Sequence, residues 1–132
     1  NAQLMAATCL ARLGDFKGSL PKLARSIAAL AETPDSMGLV SWALIELQWE
    51  LVQCNVLVSA AKLEGYLQAN QGHFTFLDLD YRRKEYEASI NTLKQGLGPL
   101  SMMENQDIGA QLDRRTIISI ALGEIDQLLE TL

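Results

Sequence analysis

Apolar residues recur along most of this chain at alternating three- and four-residue steps, the spacing of one face of an α-helix. The pattern is clearest in Trp42, Ile45, Trp49, Val52 and Val56. Glycine and proline are sparse and divide the pattern into four segments. The sequence therefore predicts an all-α fold with helices over about residues 3–32, 36–69, 76–95 and 102–132.

The second segment carries two apolar seams side by side and is predicted to be the central helix of the core. Trp42 and Trp49 are interpreted as core anchors rather than as platforms for a stacked ligand. Glu46, Glu50 and Gln53 are predicted to form one narrow polar stripe along this helix.

The ends of the other helices are less regular. Gly14, Gly18 and Pro21 weaken the first helix, and a kink or a break is expected near Gly18–Leu20. Ser101-Met-Met-Glu104 has the form of a capping box, which predicts the start of the fourth helix. Apolar residues keep their helical spacing through Glu124–Leu132, so the fourth helix is expected to continue in a longer parent protein.

Four helices with short connections pack antiparallel by default. We therefore predict a single domain over residues 3–132, an antiparallel four-helix up-down bundle with a kinked first helix. Asn1 and Ala2 are interpreted as a tag remnant and excluded. An even number of crossings brings both chain ends to the same end of the bundle, as a domain between two membrane spans requires.

Composition narrows the classes of partner. The chain of 132 residues has 48% apolar residues and a net charge of −5 at pH 7. A nucleic-acid partner is not expected, because such domains usually carry a basic face. No charge-free run approaches the length of a membrane-spanning helix, so contact with a membrane is expected only through flanking segments.

Catalytic and metal-binding patterns are not found in the sequence. His73 is the single histidine and lies in a predicted loop. Cys9 and Cys54 are interpreted as buried free thiols, and a disulfide between them is not expected, because a hairpin of the first two helices would leave them too far apart. We predict no catalytic activity, no metal and no cofactor.

Four arginines are the candidate ligand-binding residues: Arg82, Arg83, Arg114 and Arg115. The planar guanidinium group suits carboxylate and phosphate ligands, and a pocket between helices is a normal ligand site. Nearby acidic residues also allow ordinary surface ion pairs, and the sequence does not decide between these two interpretations.

The run Trp42-Ala43-Leu44-Ile45-Glu46-Leu47-Gln48-Trp49-Glu50-Leu51, followed by Leu77-Asp78-Leu79-Asp80-Tyr81-Arg82-Arg83, resembles a known family. It is similar to the extracytoplasmic sensor (input) domains of bacterial membrane-anchored signalling proteins of the histidine kinase and diguanylate cyclase type. The resemblance covers about residues 42–97. Downstream, Ala88-Ser89-Ile90-Asn91 stands where the family usually has a small residue followed by arginine.

This resemblance implies a periplasmic domain that binds a small-molecule or protein ligand and transmits the signal through a shift of one helix. It also implies a homodimer formed through helices 1 and 4. The alternative is a cytoplasmic helical adaptor or secretion-type chaperone that binds a partner protein through an exposed apolar groove.

Overall fold

The computed structural model describes residues 2–32, 37–70 and 80–132. All regular secondary structure in these ranges is α-helical, which confirms the all-α class. The helices are α1 (Ala2–Arg12), α2 (Phe16–Ala31), α3 (Met37–Gln53), α4 (Leu57–Asn70), α5 (Asp80–Leu97), α6 (Pro99–Ala110) and α7 (Arg114–Thr131). The four-helix bundle is not confirmed, because three of the four predicted helices are each interrupted.

The first predicted helix breaks at residues 13–15, earlier than expected. Gly14 adopts a φ of +85°, and the N–H of Asp15 donates to the carbonyl of Leu10 over 2.9 Å, as in a Schellman helix end. The Asp15 carboxylate then accepts from the N–H of Gly18 and begins α2. Gly18 therefore lies in the capped first turn, and Pro21 is accommodated inside α2.

The second predicted helix ends at Gln53, and a new helix begins at Leu57. Asn55 has a φ of +61°, and the N–H of Val56 donates to the carbonyl of Leu51 over 2.8 Å. This is the same left-handed helix end, here formed by asparagine, which tolerates positive φ better than most residues.

The last predicted helix is α6 followed by α7. Asp113 accepts a 2.8 Å hydrogen bond from the N–H of Thr116 and caps α7. The expected capping box at Ser101 is wrong, because α6 already begins at Pro99 behind Gly98. Proline is favoured at the first helical position, where its missing N–H costs nothing.

Short connections make α1 and α2 an antiparallel pair, and α3 and α4 a second one. α6 runs antiparallel across α4, where Gly65 faces the backbone of Gln106 and Gly109 faces the backbone of Lys62. α7 packs on α2 and α4, and α5 packs on α3, α4 and α6. The largest fully buried side chains form one core: Leu4, Leu20, Leu23, Ile27, Leu44, Leu47, Leu51, Leu63, Leu67, Leu93, Ile117 and Ile125.

Among the described helices, none is both long enough and apolar enough to cross a membrane.

Candidate functional site

The polar stripe predicted on α3 is buried, apart from its last member. Glu46 and Glu50 are 1% and 0% exposed, and Gln48, between them, is 1% exposed, whereas Gln53 is exposed. Burying a carboxylate is costly unless hydrogen bonds or opposite charges compensate it. The buried polar side chains of Glu46, Gln48 and Glu50 therefore need hydrogen-bonding or charged partners from neighbouring helices.

Arg12, from the end of α1, binds two carboxylates at once. Its Nε and Nη2 atoms each lie 2.8 Å from an oxygen of Glu85, which forms a bidentate pair with α5. Its Nη1 and Nη2 atoms lie 2.5 and 3.2 Å from the oxygens of Glu46 on α3. The guanidinium carbon also lies 3.7 Å from the ring centroid of Trp49, a cation–π contact.

The two carboxylates hold Arg12 in its charged form. Burial alone would lower the pKa of Arg12, but hydrogen bonds and charge from Glu85 and Glu46 outweigh it, and the pKa is raised. The Arg12 guanidinium is therefore charged and held in one orientation against the Trp49 ring by contacts within the protein.

Arg82 on α5 supplies the second positive charge. Its Nη1 atom lies 3.2 Å from Glu46, and its guanidinium carbon lies 5.5 Å from the Trp42 ring centroid. Glu46 thus accepts from arginines on two different helices. The side chain of Arg82 is 14% exposed, against 31% for Glu85. Glu85 is the most open member of the charged group.

A small cavity of about 20 Å³ lies beside these residues, room for about one water molecule. Its lining combines the charged group with the two tryptophans: Arg12, Trp42, Ile45, Glu46, Gln48, Trp49, Arg82, Glu85, Tyr86 and Ser89. Trp42 and Trp49 are half-buried. Both tryptophans therefore form walls of a polar site, and Trp42 also packs against the hydrophobic core.

A second polar group joins α5 to α4. The buried carboxylate of Glu64 accepts hydrogen bonds from Tyr86 Oη, from Gln48 Nε2 at 3.1 Å and from Gln68 Nε2 at 2.7 Å. Burial, together with the negative charge of Glu64, raises the pKa of the Tyr86 hydroxyl. The hydroxyl therefore stays protonated at physiological pH and donates a hydrogen bond to Glu64.

Glu50 lies next to Glu46 on α3, but its environment is different. Burial and the charge of Glu46 raise the pKa of Glu50 to about 8. Ser19 Oγ lies 3.0 Å from Glu50 Oε2 and 2.8 Å from the carbonyl oxygen of Ala7. One hydroxyl hydrogen cannot serve both acceptors, but a protonated Glu50 donates to Ser19, which then donates to Ala7. The geometry fits neutral Glu50 at pH 7.

The structure does not gather the four predicted arginines into one pocket. Arg82 lines the cavity beside Glu46, and Arg83 is exposed. Arg114 and Arg115 line a separate, open depression with Ala31, Glu32 and Ile118. Arg114 Nη2 donates to the carbonyl oxygen of Leu30 over 2.6 Å and so caps the end of α2.

Other candidates fall elsewhere. His73 and Asp78 lie outside the described residues. Cys9 is exposed, contrary to the predicted burial, and Cys54 is half-buried; both are free thiols. Burial and the neighbouring Glu50 raise the pKa of Cys54. Within the described ranges, no three His, Cys, Asp or Glu side chains converge in a way that would hold a metal ion.

Sequence reasoning missed Arg12, Glu85 and Tyr86, because they come from helices far apart in the chain. One signal was present: the second segment is apolar on nearly its whole circumference, and yet it carries Glu46, Gln48 and Glu50. A carboxyl group on a doubly covered helix needs a cationic or hydrogen-bonding partner from a neighbouring helix, or it must stay protonated.

The fold and site thus define an all-α protein with a charged, tryptophan-walled cluster between α1, α3 and α5. No known protein family, curated protein or solved structure matches the chain.

Proposed function

We propose that this chain is a non-catalytic, ligand-sensing and signal-transmitting domain, the extracytoplasmic part of a membrane-anchored bacterial signalling protein. One observation carries the proposal: three polar side chains of α5, Arg82, Glu85 and Tyr86, line a cavity and contact α1, α3 and α4 there. The resemblance of residues 42–97 to sensor domains is consistent with it.

The packing of α5 differs from that of the other long helices. Only Ser89 and Leu93 of its residues 81–97 are buried. Arg82, Glu85 and Tyr86 instead contact carboxylate or guanidinium groups on α3, α1 and α4. Leu93 holds α5 to the core, whereas these three polar side chains meet the cavity, so a ligand bound there would act on α5 directly.

Such a helix suits signal transmission. A ligand shifts a conformational equilibrium only by the difference in its affinity for the two states. Because Arg82, Glu85 and Tyr86 all line the cavity, a molecule that enters it must change contacts made by α5. Occupation of the site and the position of α5 are therefore linked.

The proposal includes a homodimer formed through α1–α2 and α6–α7, the segments that correspond to predicted helices 1 and 4. These segments carry large apolar side chains that are exposed: Met5, Leu13, Leu100, Met103, Ile108 and Leu132. Burial of such side chains between two copies would stabilise a dimer. Sedimentation showing only monomer at high protein concentration would contradict this part.

A specific observation favours the adaptor alternative. Leu100, Met103 and Ile108 on α6 are 64%, 54% and 48% exposed. A partner helix that covered them would bind by its apolar face. In that case the partner would protect α6 and leave α5 unchanged.

Hydrogen–deuterium exchange tests the proposal. A chemically mixed small-molecule library is first screened by thermal shift, and exchange is then measured helix by helix with each stabilising compound. We expect at least one compound to change exchange in residues 80–97 more than in α7, the reference helix. Equal protection of all helices by every stabilising compound, or no stabilising compound at all, would contradict a sensing role.

A further inference from the structure

The site that receives the Glu85 carboxylate is complete without α5. Arg12 comes from α1, and its orientation is set by Glu46 and Trp49 of α3. Glu85 contributes only the carboxylate itself, held by two 2.8 Å hydrogen bonds. This is the bidentate geometry by which arginine recognises any carboxylate, whether it belongs to the chain or to a ligand.

The charges in the cluster specify the ligand further. Glu46 pairs with Arg12 from α3, and Glu85 adds one further negative charge at the outer edge of the same guanidinium. The side chain of Glu85 is 31% exposed, so solvent reaches it. A group that replaces Glu85 should therefore carry one negative charge, and should be planar to match the guanidinium edge.

The walls of the cavity indicate the rest of the molecule. Trp42, Trp49 and Ile45 present apolar surface next to the charged group. In its present volume of about 20 Å³ the cavity admits nothing larger than water. An organic acid would therefore fit only if Glu85 moved away and took α5 with it.

We propose that this cluster is a receptor for the carboxylate of a small monoanionic organic acid with an apolar body, which replaces Glu85 on Arg12 and so displaces α5. Glu85 acts as an internal competitor that keeps the site closed without ligand. The inference rests on the proposed sensing function and names its ligand class.

The competition makes a quantitative prediction. An apparent dissociation constant equals the intrinsic one divided by the fraction of molecules whose site is open. Glu85→Gln keeps the shape of the side chain but removes its charge, so it should raise the open fraction. Glu87→Gln, on the exposed face of the same helix, removes the same charge without touching Arg12 and is the matched control.

The test is a tryptophan fluorescence titration with benzoate and with its neutral analogue benzamide, since Trp42 and Trp49 are the two tryptophans of the chain. We expect benzoate to bind Glu85→Gln at least about tenfold more tightly than wild type or Glu87→Gln. Benzamide lacks the negative charge. It should therefore bind wild type, Glu87→Gln and Glu85→Gln at least about tenfold more weakly than benzoate binds Glu85→Gln.

Arg12→Lys completes the test, because it keeps the positive charge and loses the bidentate fork. We expect this change to weaken benzoate binding about tenfold or more in a Glu85→Gln background, with circular dichroism confirming the helical fold. Equal affinities of Glu85→Gln and Glu87→Gln for benzoate, or equal binding of benzoate and benzamide, would overturn the inference.

The two proposals fail differently. If library compounds alter exchange in α5 without any dependence on Arg12 or Glu85, the sensing role stands and the carboxylate ligand class is wrong. If no compound alters α5 in either wild type or Glu85→Gln, the sensing role is wrong as well.

Discussion

Replacing Gly65 with alanine should force α4 and α6 apart. A Cβ atom at this position would overlap the carbonyl group of Gln106, which belongs to the backbone of the facing helix. Gly109 meets the backbone of Lys62 in the same way. A side chain in the way can rotate aside, but a helical carbonyl can move only with its helix, so the whole crossing must open.

The size of the effect follows from three contributions. Overpacking of a core costs typically about 1–3 kcal/mol, and a rigid backbone neighbour places this substitution at the upper end. Wetting roughly 100 Å² of apolar surface as the helices part would cost about 2.5 kcal/mol more. The better helix propensity of alanine returns about 1 kcal/mol. Net destabilisation of about 4–5 kcal/mol is expected, a decrease in melting temperature of roughly 10 °C or more.

Gly123→Ala is the matched control, because Gly123 lies within α7 and a Cβ atom there would meet nothing within 4 Å. It should stabilise the protein by about 0.5–1 kcal/mol. Both variants are compared with wild type by thermal and urea denaturation followed by circular dichroism. A Gly65→Ala protein that melts at or above the wild-type temperature would refute the backbone contact between α4 and α6.

Two further predictions concern the buried polar groups. Because the pKa of Glu50 is raised from 4.5 to about 8, the folded chain holds a proton that the unfolded chain has released between these pH values, and stability should fall as pH rises through this window. Glu50→Gln should lose this pH dependence, and its free energy of unfolding at pH 7 should exceed that of wild type by on the order of 3 kcal/mol. Urea denaturation of both proteins at about pH 5–8 measures the difference. A difference that stays constant across that range would contradict a buried proton on Glu50. Tyr86→Phe should cost about 1–2 kcal/mol, because its carboxylate partner loses a donor, whereas Tyr81→Phe on the exposed face should change little. Equal unfolding midpoints of the two phenylalanine variants would show that the hydroxyl contact contributes nothing.

The helical class could be predicted from the sequence, because a periodicity near 3.6 residues depends only on which positions are apolar. The helix breaks were harder, since each rests on a single residue in a special conformation. Gly14 followed by Asp15 is a sequence signal for the end of one helix and the start of the next. Asn55 is less evident, because asparagine adopts a positive φ only where the surrounding packing requires it.

The candidate site was predictable only in part. Arg82 was identified because arginine is suited to anions wherever it occurs, and this residue does line the cavity. Arg12, the other arginine that contacts Glu46, lies 34 positions from Glu46 and 73 from Glu85 along the chain. Local periodicity carries no information about contacts over such distances, which depend on how the helices pack.

The charged contacts of α5 also restrict where that helix can rest. A shift by one helical turn, about 5.4 Å, would carry Arg82 and Glu85 away from Glu46 and Arg12 together. Arg12 and Glu46 would keep each other as partners, but the bidentate Arg12–Glu85 pair and the Arg82–Glu46 contact would be lost at the same time, so positions between the two ends of such a shift are disfavoured. The positions of α5 should therefore be discrete, and two sets of resonances in slow exchange, rather than gradually moving peaks, would accompany a ligand titration followed by NMR.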